Sequence, residues 1–150
     1  EVARAQVRDL RQESGQAVLW IQGKGRDSKD DFVLLVDEAE RPLRNYLQAR
    51  GKLPDDAPLF CSHSDRNRGQ ELTTRSISRI IKNLLVGIGL DDSRITAHSL
   101  RHTAITLSIK GGASLQQAQA MARHTDPKTT LVYFHNLARV EAGAEKHIKF

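Results

Sequence analysis

Residues 96–103, Thr-Ala-His-Ser-Leu-Arg-His-Thr, carry the most informative pattern in the chain. His98, Arg101 and His102 are spaced i, i+3 and i+4, which places their side chains on one face where a helix begins. The N-terminus of a helix already attracts anions through its N–H groups and its dipole. An arginine fork with two imidazoles at such a terminus predicts a phosphate-binding site.

Residues 122–133, Ala-Arg-His-Thr-Asp-Pro-Lys-Thr-Thr-Leu-Val-Tyr, extend this pattern. His124 lies at the end of one predicted helix, and Tyr133 follows nine residues later on the next one. Because tyrosine accounts for 2 of the 150 residues, a tyrosine at a preset offset from a given histidine is about a 1% event by chance. The spacing is therefore a moderately specific indication of a shared site.

Capping residues and glycine stops divide the second half of the chain into helices. Ser114 with Gln117 forms a capping box, and Asp126 before Pro127 is typical of a helix start. Gly111 is typical of a helix end. These signals predict helical segments at about 99–110, 114–123, 126–137 and 140–148.

The first half of the chain contains a hairpin signal. Apolar runs at residues 17–21 and 32–36 flank the polar, glycine-containing stretch 23–31, which is typical of two antiparallel strands and their connection. Residues 1–10 fit either the end of a helix or a strand around Val7.

Two further helices are predicted between this hairpin and the motifs. Asp37 and Glu40 occupy capping-box positions of the first, and Gly51 is a suitable stop. Pro42 predicts a late start or a bend, because an interior proline removes a backbone hydrogen bond. The second helix is predicted at residues 74–86. The fold class is therefore mainly α with a small β-sheet near the N-terminus, and the length of 150 residues fits one domain.

The composition excludes several classes of protein. No apolar run approaches the roughly 18 residues that a membrane span requires. A lone Cys61 cannot form an internal disulfide, which favours a reducing compartment. Aromatic residues make up 5% of the chain, too few for a base-stacking surface on single-stranded nucleic acid. The net charge of +5 and the isoelectric point of about 9.7 suit an anionic partner.

Together the motifs resemble the C-terminal catalytic domain of tyrosine recombinases, the family of phage and transposon integrases and Xer-type recombinases. The family pattern is His-x-x-Arg, then a second histidine, then a tyrosine nine residues further on. The matching residues are His98, Arg101, His124 and Tyr133. Gly23-Lys24-Gly25 between the predicted strands resembles the β-hairpin lysine of the family. The resemblance covers essentially the whole chain and is most specific at residues 96–135.

The resemblance implies transesterification on duplex DNA. Tyr133 would attack the scissile phosphate and form a 3′-phosphotyrosyl link, with release of a 5′-hydroxyl. Arg101 would hold two phosphate oxygens, and His124 would donate to an equatorial oxygen. His98 would assist removal of the Tyr133 proton, and Lys24 would protonate the leaving 5′-oxygen. The link conserves the bond energy, so no cofactor, ATP or metal is expected.

Further basic residues are candidates for DNA contact. Three of them occur at i, i+4 and i+7 of the helix predicted at 74–86 and share a face, although such a face is more often simply solvated. The candidates are Arg66, Arg68, Arg75, Arg79, Lys82 and His102.

The chain departs from the family pattern in two respects. Its opening Glu1-Val2-Ala3 resembles the end of the first family motif, so the first catalytic arginine and the helical core-binding domain are expected to lie outside this chain. We therefore expect a single catalytic domain, truncated at its N-terminus and inactive alone. In addition, Arg123 stands where the family prefers glycine before the second histidine.

Three alternatives remain open at this point. Type IB topoisomerases use a similar constellation for strand passage, and the basic face could belong to a non-catalytic DNA-binding module. A zinc site is a third alternative, because His98 and His102 at i and i+4 can bind one ion. Cys61 and His63 could complete its ligand set.

The resemblance also implies partners and a location. Duplex DNA is the expected partner, with self-association as a DNA-bound tetramer in the full-length protein. Residues 140–150 could dock on a neighbouring protomer or pack on their own domain. No membrane and no small-molecule substrate is expected. The implied setting is the cytoplasm, in association with the nucleoid, for a protein encoded by a bacterium or a phage.

Overall fold

The computed structural model describes residues 1–23 and 25–149. Within those ranges it contains five α-helices, one three-stranded antiparallel sheet and short 3₁₀ turns. The chain divides into two compact units, Glu1–Arg79 and Ile80–Phe150. The predicted class, mainly α with a small β-sheet near the N-terminus, is confirmed.

The sheet of the first unit has the strand order β1-β2-β3. Its strands are β1 (Leu10–Glu13), β2 (Gln16–Ile21) and β3 (Asp31–Leu34). Strands β2 and β3 correspond to the predicted hairpin and pair antiparallel. Strand β2 is central, and most of its side chains are buried, as its near-continuous apolar sequence requires.

Strand β1 corrects the prediction for residues 1–10. Those residues form neither a helix end nor a strand around Val7, but two 3₁₀ turns, Val2–Arg4 and Val7–Asp9, before β1 begins. The signal for β1 is the dipeptide Ser14-Gly15, whose φ angles of 50° and 79° are both positive. Two such residues form the tight turn whose twist matches antiparallel strands.

Helix α1 (Asp37–Arg50) packs beside the sheet through Leu43, which belongs to a buried cluster with Leu19, Ile21 and Leu59. The predicted late start is wrong, because the helix begins at Asp37.

The start of α1 also corrects the predicted capping box. Val36, rather than Asp37, is the N-cap residue, and the early acidic residues complement the helix dipole instead. Pro42 is the sixth helical residue, so it removes one hydrogen bond without preventing the first turn from forming. Gly51 ends the helix with a positive φ of 78°, as predicted.

A buried ion pair anchors the connection between β2 and β3. Lys29 lies in this connection, and its Nζ donates to Asp9 Oδ2 and, at 3.2 Å, to Gln6 Oε1. The same carboxylate oxygen accepts from the Gln6 backbone N–H at 2.7 Å. Asp9 is 1% exposed, so its charge depends on these partners rather than on water.

Replacing Asp9 with asparagine should therefore lower the free energy of unfolding by about 2 kcal/mol, because the Lys29 ammonium loses its counter-ion. Asparagine can still accept the backbone hydrogen bond from Gln6. Urea denaturation followed by fluorescence of Trp20, which lies on β2, measures the change. Asp27→Asn, an exposed change in the same connection, is the matched control. An Asp9→Asn curve that overlays both the wild-type and control curves would contradict the expectation.

The second unit is helical. Helix α2 (Thr74–Gly87) runs from one unit into the next and is followed by α3 (Ala97–Lys110), α4 (Leu115–Ala122) and α5 (Pro127–Ala142). The predicted starts of α4 and α5 are confirmed, since Ser114 accepts from the Gln117 N–H and Asp126 from the Lys128 N–H.

The end of the chain corrects the prediction of a separate helix at 140–148. Helix α5 continues to Ala142, and only a short 3₁₀ turn, Ala144–His147, follows it. Gly143 separates them, and a Cβ atom there would lie 2.6 Å from the Arg139 carbonyl oxygen. Only glycine fits this close approach. None of the helices in the described ranges is both long and apolar enough to cross a membrane.

Candidate active site

The first turn of α3 presents the His-x-x-Arg-His motif. The helix begins at Ala97, two residues earlier than predicted, and Ser99 Oγ accepts a hydrogen bond from the Thr96 N–H at 3.0 Å. His98 and His102 are exposed, and their rings meet edge to face with centroids 4.7 Å apart. The motif is therefore helical and its two histidines are adjacent, as the spacing predicted.

Three elements bring aromatic rings together around Tyr133, which lies on α5. The ring of His102 from α3 stacks on it at a centroid distance of 5.7 Å, and the ring of His124 stacks on it at 6.3 Å. The interplanar angles are 27° and 24°. The predicted residues His98, Arg101, His124 and Tyr133 thus lie in one region of the second unit.

The hydroxyl of Tyr133 is hydrogen-bonded to Nδ1 of His102. By sequence, His102 is a candidate for DNA contact, and His98 is the residue expected to assist removal of the Tyr133 proton. The structure instead places His102 against the hydroxyl. Spacing along α3 could not distinguish the two histidines, because both lie on the same helix face.

His124 is held from both sides in the connection between α4 and α5. Its Nδ1 is 2.9 Å from Oγ1 of Thr130, and Gln119 Nε2 donates to its carbonyl at 3.0 Å. Thr130 is fully buried. Burial, together with the positive charges of Arg101 and His102, lowers the pKa of His124 below the ordinary histidine value. The ring is therefore neutral at pH 7, with one N–H to donate.

Thr130 is not among the site residues that the sequence motifs predict. Its only signal is its spacing of six residues after His124, and a threonine at that distance contacts the histidine only because α5 turns back beside α4.

Arg101 is anchored by a backbone carbonyl. Its Nη2 donates to the carbonyl oxygen of Ala122, the last residue of α4. Carbonyls at a helix C-terminus lack intrahelical partners and carry the negative end of the dipole, so they are good acceptors for a guanidinium. The contact ties α3 to α4 and fixes the plane of the fork.

Arg123, which stands where the family prefers glycine, has a backbone conformation that favours glycine. It is the residue after α4 and adopts left-handed backbone angles, φ 52° and ψ 42°. Glycine reaches this conformation without cost, whereas a side chain is strained there by roughly 1 kcal/mol. The turn that positions His124 therefore forms despite the arginine, and its geometry is the one that glycine favours.

Comparing Arg123→Gly with Arg123→Ala should isolate this strain. Both changes remove the same side-chain contacts, but only glycine relaxes the backbone, so the glycine variant should be more stable by about 1 kcal/mol. Thermal unfolding followed by circular dichroism at the helix band measures the difference. An alanine variant that is equally stable or more stable would show that the turn is not strained.

An open cavity of about 610 Å³ adjoins the nucleophile candidate. One face of α5 and a single side chain of α3 form its wall. The lining residues are His102, Lys128, Thr129, Val132, Tyr133 and Asn136. Tyr133 is therefore reachable from solvent on the side that carries Lys128.

The DNA-contact candidates differ in their surroundings. Arg75 and Arg79 are exposed on α2, as is Arg66 in the preceding loop. Lys82 donates to the Asp92 carbonyl at 2.8 Å and lies 3.4 Å from Asp91, so it helps to hold the loop after α2.

Arg68 forms an exposed ion pair with Asp65 at 3.1 Å. Lys24 lies outside the described residues, so its predicted position at the hairpin tip stays a prediction.

The zinc alternative receives no support from the geometry. Across residues 1–23 and 25–149, no group of three or more His, Cys, Asp or Glu side chains could hold a metal ion. Cys61 is buried, and its backbone N–H donates to the Tyr46 hydroxyl at 3.3 Å.

Known proteins resemble this chain in sequence. XerC, a tyrosine recombinase of Corynebacterium glutamicum, is 34% identical over 126 residues, which is 82% of this chain and 39% of that protein. XerD of Yersinia pestis, also a tyrosine recombinase, is 33% identical over 121 residues, 80% of this chain and 40% of that protein. The chain thus spans about two fifths of the length of these relatives.

Solved structures show the same fold. The crystal structure of XerA recombinase matches with a TM-score of 0.73 and 26% identity, over 100% of this chain and 52% of that one. The post-cleavage complex of XerH site-specific recombinase with palindromic difH substrate matches with a TM-score of 0.72 and 24% identity, over 96% of this chain and 40% of that one. The family model for the phage integrase family matches residues 1–139, and this chain therefore belongs to the phage integrase family.

Proposed function

We propose that this chain is the catalytic domain of a site-specific DNA recombinase and that Tyr133 cleaves a DNA strand by attacking a phosphodiester. The observation that carries the proposal is the placement of the Tyr133 hydroxyl beside His102, with His124 stacked on the ring and Arg101 anchored on the neighbouring helix. This arrangement combines a nucleophile, proton acceptors and a fixed cation. The relatives XerC and XerD are named tyrosine recombinases, which supports the same assignment.

Arg101 would stabilise the additional negative charge that the phosphate acquires in the transition state. A guanidinium has five N–H donors, and the Ala122 carbonyl uses one of them. The fork then binds two non-bridging oxygens, which a lysine cannot do with its point charge. Because the Ala122 contact fixes the fork beforehand, little reorganisation is needed when charge develops.

His124 would donate a hydrogen bond to a phosphate oxygen. In this role Nδ1 would accept from the Thr130 hydroxyl, and the proton of the neutral ring would lie on Nε2, the nitrogen that points away from Thr130. His98 would contribute a further donor at the start of α3.

The covalent step balances without an added energy source. A bond forms between phosphorus and the Tyr133 oxygen, and the bond from phosphorus to the 5′-oxygen breaks. The proton leaves Tyr133, and Lys24 would supply one to the 5′-oxygen. The phosphotyrosyl ester retains the energy of the original diester, so the reverse attack by a 5′-hydroxyl rejoins a strand without ATP.

Duplex DNA would be the partner, held in part by the exposed Arg75 and Arg79. Arginines that bind DNA phosphates release the cations that neutralise those phosphates in solution. DNA binding should therefore weaken steeply as the salt concentration rises. A plot of the logarithm of affinity against the logarithm of salt concentration has a negative slope. In the double variant Arg75→Gln and Arg79→Gln, this slope should be less steep by about 2. Fluorescence anisotropy with a labelled duplex measures this slope, and an unchanged slope would show that neither residue contacts DNA phosphates.

Recombination would further require self-association on DNA, and the setting would be the bacterial cytoplasm.

A nicked suicide duplex tests the proposed chemistry. Cleavage beside the nick releases a short fragment, so the covalent protein–DNA adduct accumulates and is read on a denaturing gel. The protein is translated from its complete reading frame, because this chain spans about two fifths of the length of XerC and XerD. Adduct formation supports the proposal. Relaxation of supercoiled DNA without strand exchange would instead indicate a topoisomerase, and salt-dependent binding without adduct would indicate a non-catalytic module.

A further inference from the structure

His102 is the side chain that contacts the reacting oxygen of Tyr133. Its Nδ1 bonds the hydroxyl while its ring stacks on the tyrosine, so both the position and the plane of the imidazole are defined. The contact joins α3 to α5 across 31 residues of sequence. It is therefore a tertiary contact and not a consequence of helix periodicity.

The other two histidines have different partners. His98 meets the edge of the His102 ring at a centroid distance of 4.7 Å. Nδ1 of His124 is directed to Thr130, and only its ring face lies against Tyr133. Among the described residues, His102 is the one of these three imidazoles whose ring nitrogen contacts the Tyr133 hydroxyl.

We propose that His102 is a catalytic residue that accepts the Tyr133 proton during cleavage and returns it during rejoining. The inference rests on the proposed function, since it assigns a proton acceptor to the same transesterification. A neutral imidazole with its proton on Nε2 offers the Nδ1 lone pair to the hydroxyl. As the bond between Tyr133 oxygen and phosphorus forms, the O–H bond breaks and the proton moves to Nδ1, which leaves an imidazolium.

The reverse step uses the same contact. When a 5′-hydroxyl attacks the phosphotyrosyl ester, the tyrosine oxygen leaves and takes the proton back from His102. Cleavage and rejoining are therefore served by one group that changes role between base and acid. The proton count at the His102–Tyr133 pair is restored after each full cycle.

Several titratable or charged groups surround His102. On α3 these are His98, one turn earlier, and Arg101, its neighbour in the chain. On α5, Lys128 lines the same cavity, and His124 is close enough for its pKa to be lowered by His102. These groups face the imidazole from both helices, so the pH profile of the wild type is compared with that of each variant.

His102→Asn separates positioning from proton transfer. The asparagine amide oxygen lies near the place of Nδ1 and can accept the Tyr133 hydrogen bond, but it cannot take the proton. We expect single-turnover adduct formation to fall about 100-fold at neutral pH. The rate should recover as the pH rises, because hydroxide can then remove the proton. His102 is exposed, so the variant should fold, which circular dichroism checks.

A second variant and a matched control sharpen the experiment. His102→Ala should be rescued by added imidazole, which a purely structural defect would not show. His135→Asn makes the same chemical change two residues after Tyr133 on α5, at an exposed position, and should leave rate and pH profile unchanged.

The outcomes distinguish failure of the His102 proposal from failure of the proposed recombinase function. Slow adduct formation that recovers at high pH or with imidazole supports the role of His102. Adduct formation by His102→Asn at the wild-type rate across the pH range would overturn it, and so would a faster rate, which would mean that His102 restrains the nucleophile. If wild-type protein forms no adduct, the proposed function fails and this inference fails with it.

Discussion

Tyr133→Phe should eliminate the covalent adduct on a nicked suicide duplex, with a loss of at least about 10⁴-fold in the single-turnover rate. The substitution removes the nucleophilic oxygen and retains the ring, which stacks between His102 and His124. No other group can form a phosphotyrosyl ester at this position. DNA affinity should change little, because phenylalanine preserves the packing of α5.

Tyr46→Phe is the matched control for this experiment. Tyr46 is the other of the 2 tyrosines in the chain, and its hydroxyl accepts from the Cys61 N–H at 3.3 Å in the first unit. The change should reduce the free energy of unfolding by about 1 kcal/mol through loss of that hydrogen bond, without affecting adduct formation. An adduct that persists in Tyr133→Phe and disappears in Tyr46→Phe would show that Tyr133 is not the nucleophile.

Arg101→Lys should slow adduct formation by about 10²-fold to 10³-fold at saturating DNA. Lysine retains the positive charge but offers no planar fork, so it cannot bind two phosphate oxygens and the Ala122 carbonyl in the same geometry. The loss should appear in the rate constant and not in DNA affinity, because the additional negative charge on the two non-bridging oxygens develops only in the transition state. Single-turnover gels at several DNA concentrations separate the two effects.

Arg79→Lys provides the comparison, because it makes the same substitution at an exposed position of α2. A lysine there still neutralises a phosphate, so both affinity and rate should remain close to those of the wild type. Equal rates for Arg101→Lys and wild type would mean that the charge of Arg101 is sufficient and that its fork makes no bidentate contact.

The local features of the fold were predictable where they depend on neighbouring residues. Ser114 caps α4, and Gly51 ends α1 in the predicted way. The errors lie at boundaries. The turn at Ser14-Gly15 adds strand β1 to the predicted hairpin, and α1 begins at Asp37 although Pro42 lies inside it. A proline in the second turn costs one hydrogen bond, which the packing of Leu43 offsets.

The sequence predicted which residues belong to the candidate site, but not which of them contact one another. The two-part motif identified His98, Arg101, His124 and Tyr133, and all four lie in the second unit. The partner of each was not predictable. The Ala122 carbonyl on Arg101 has no sequence signature, because this contact joins α3 to α4. The signal for Thr130 behind His124 is a spacing of six residues, which does not by itself indicate a contact.

The sequence by itself determined the family, the helical elements of the second unit and the residues that share the first turn of α3, because periodicity and spacing act within one segment. Only the tertiary structure decided that His102, and not His98, contacts the Tyr133 hydroxyl. Two histidines one turn apart on a helix face are equivalent in sequence. The packing of α3 and α5 around buried residues such as Ile105 and Thr130 fixes the rotation and height of one helix against the other, and so selects which histidine reaches the nucleophile.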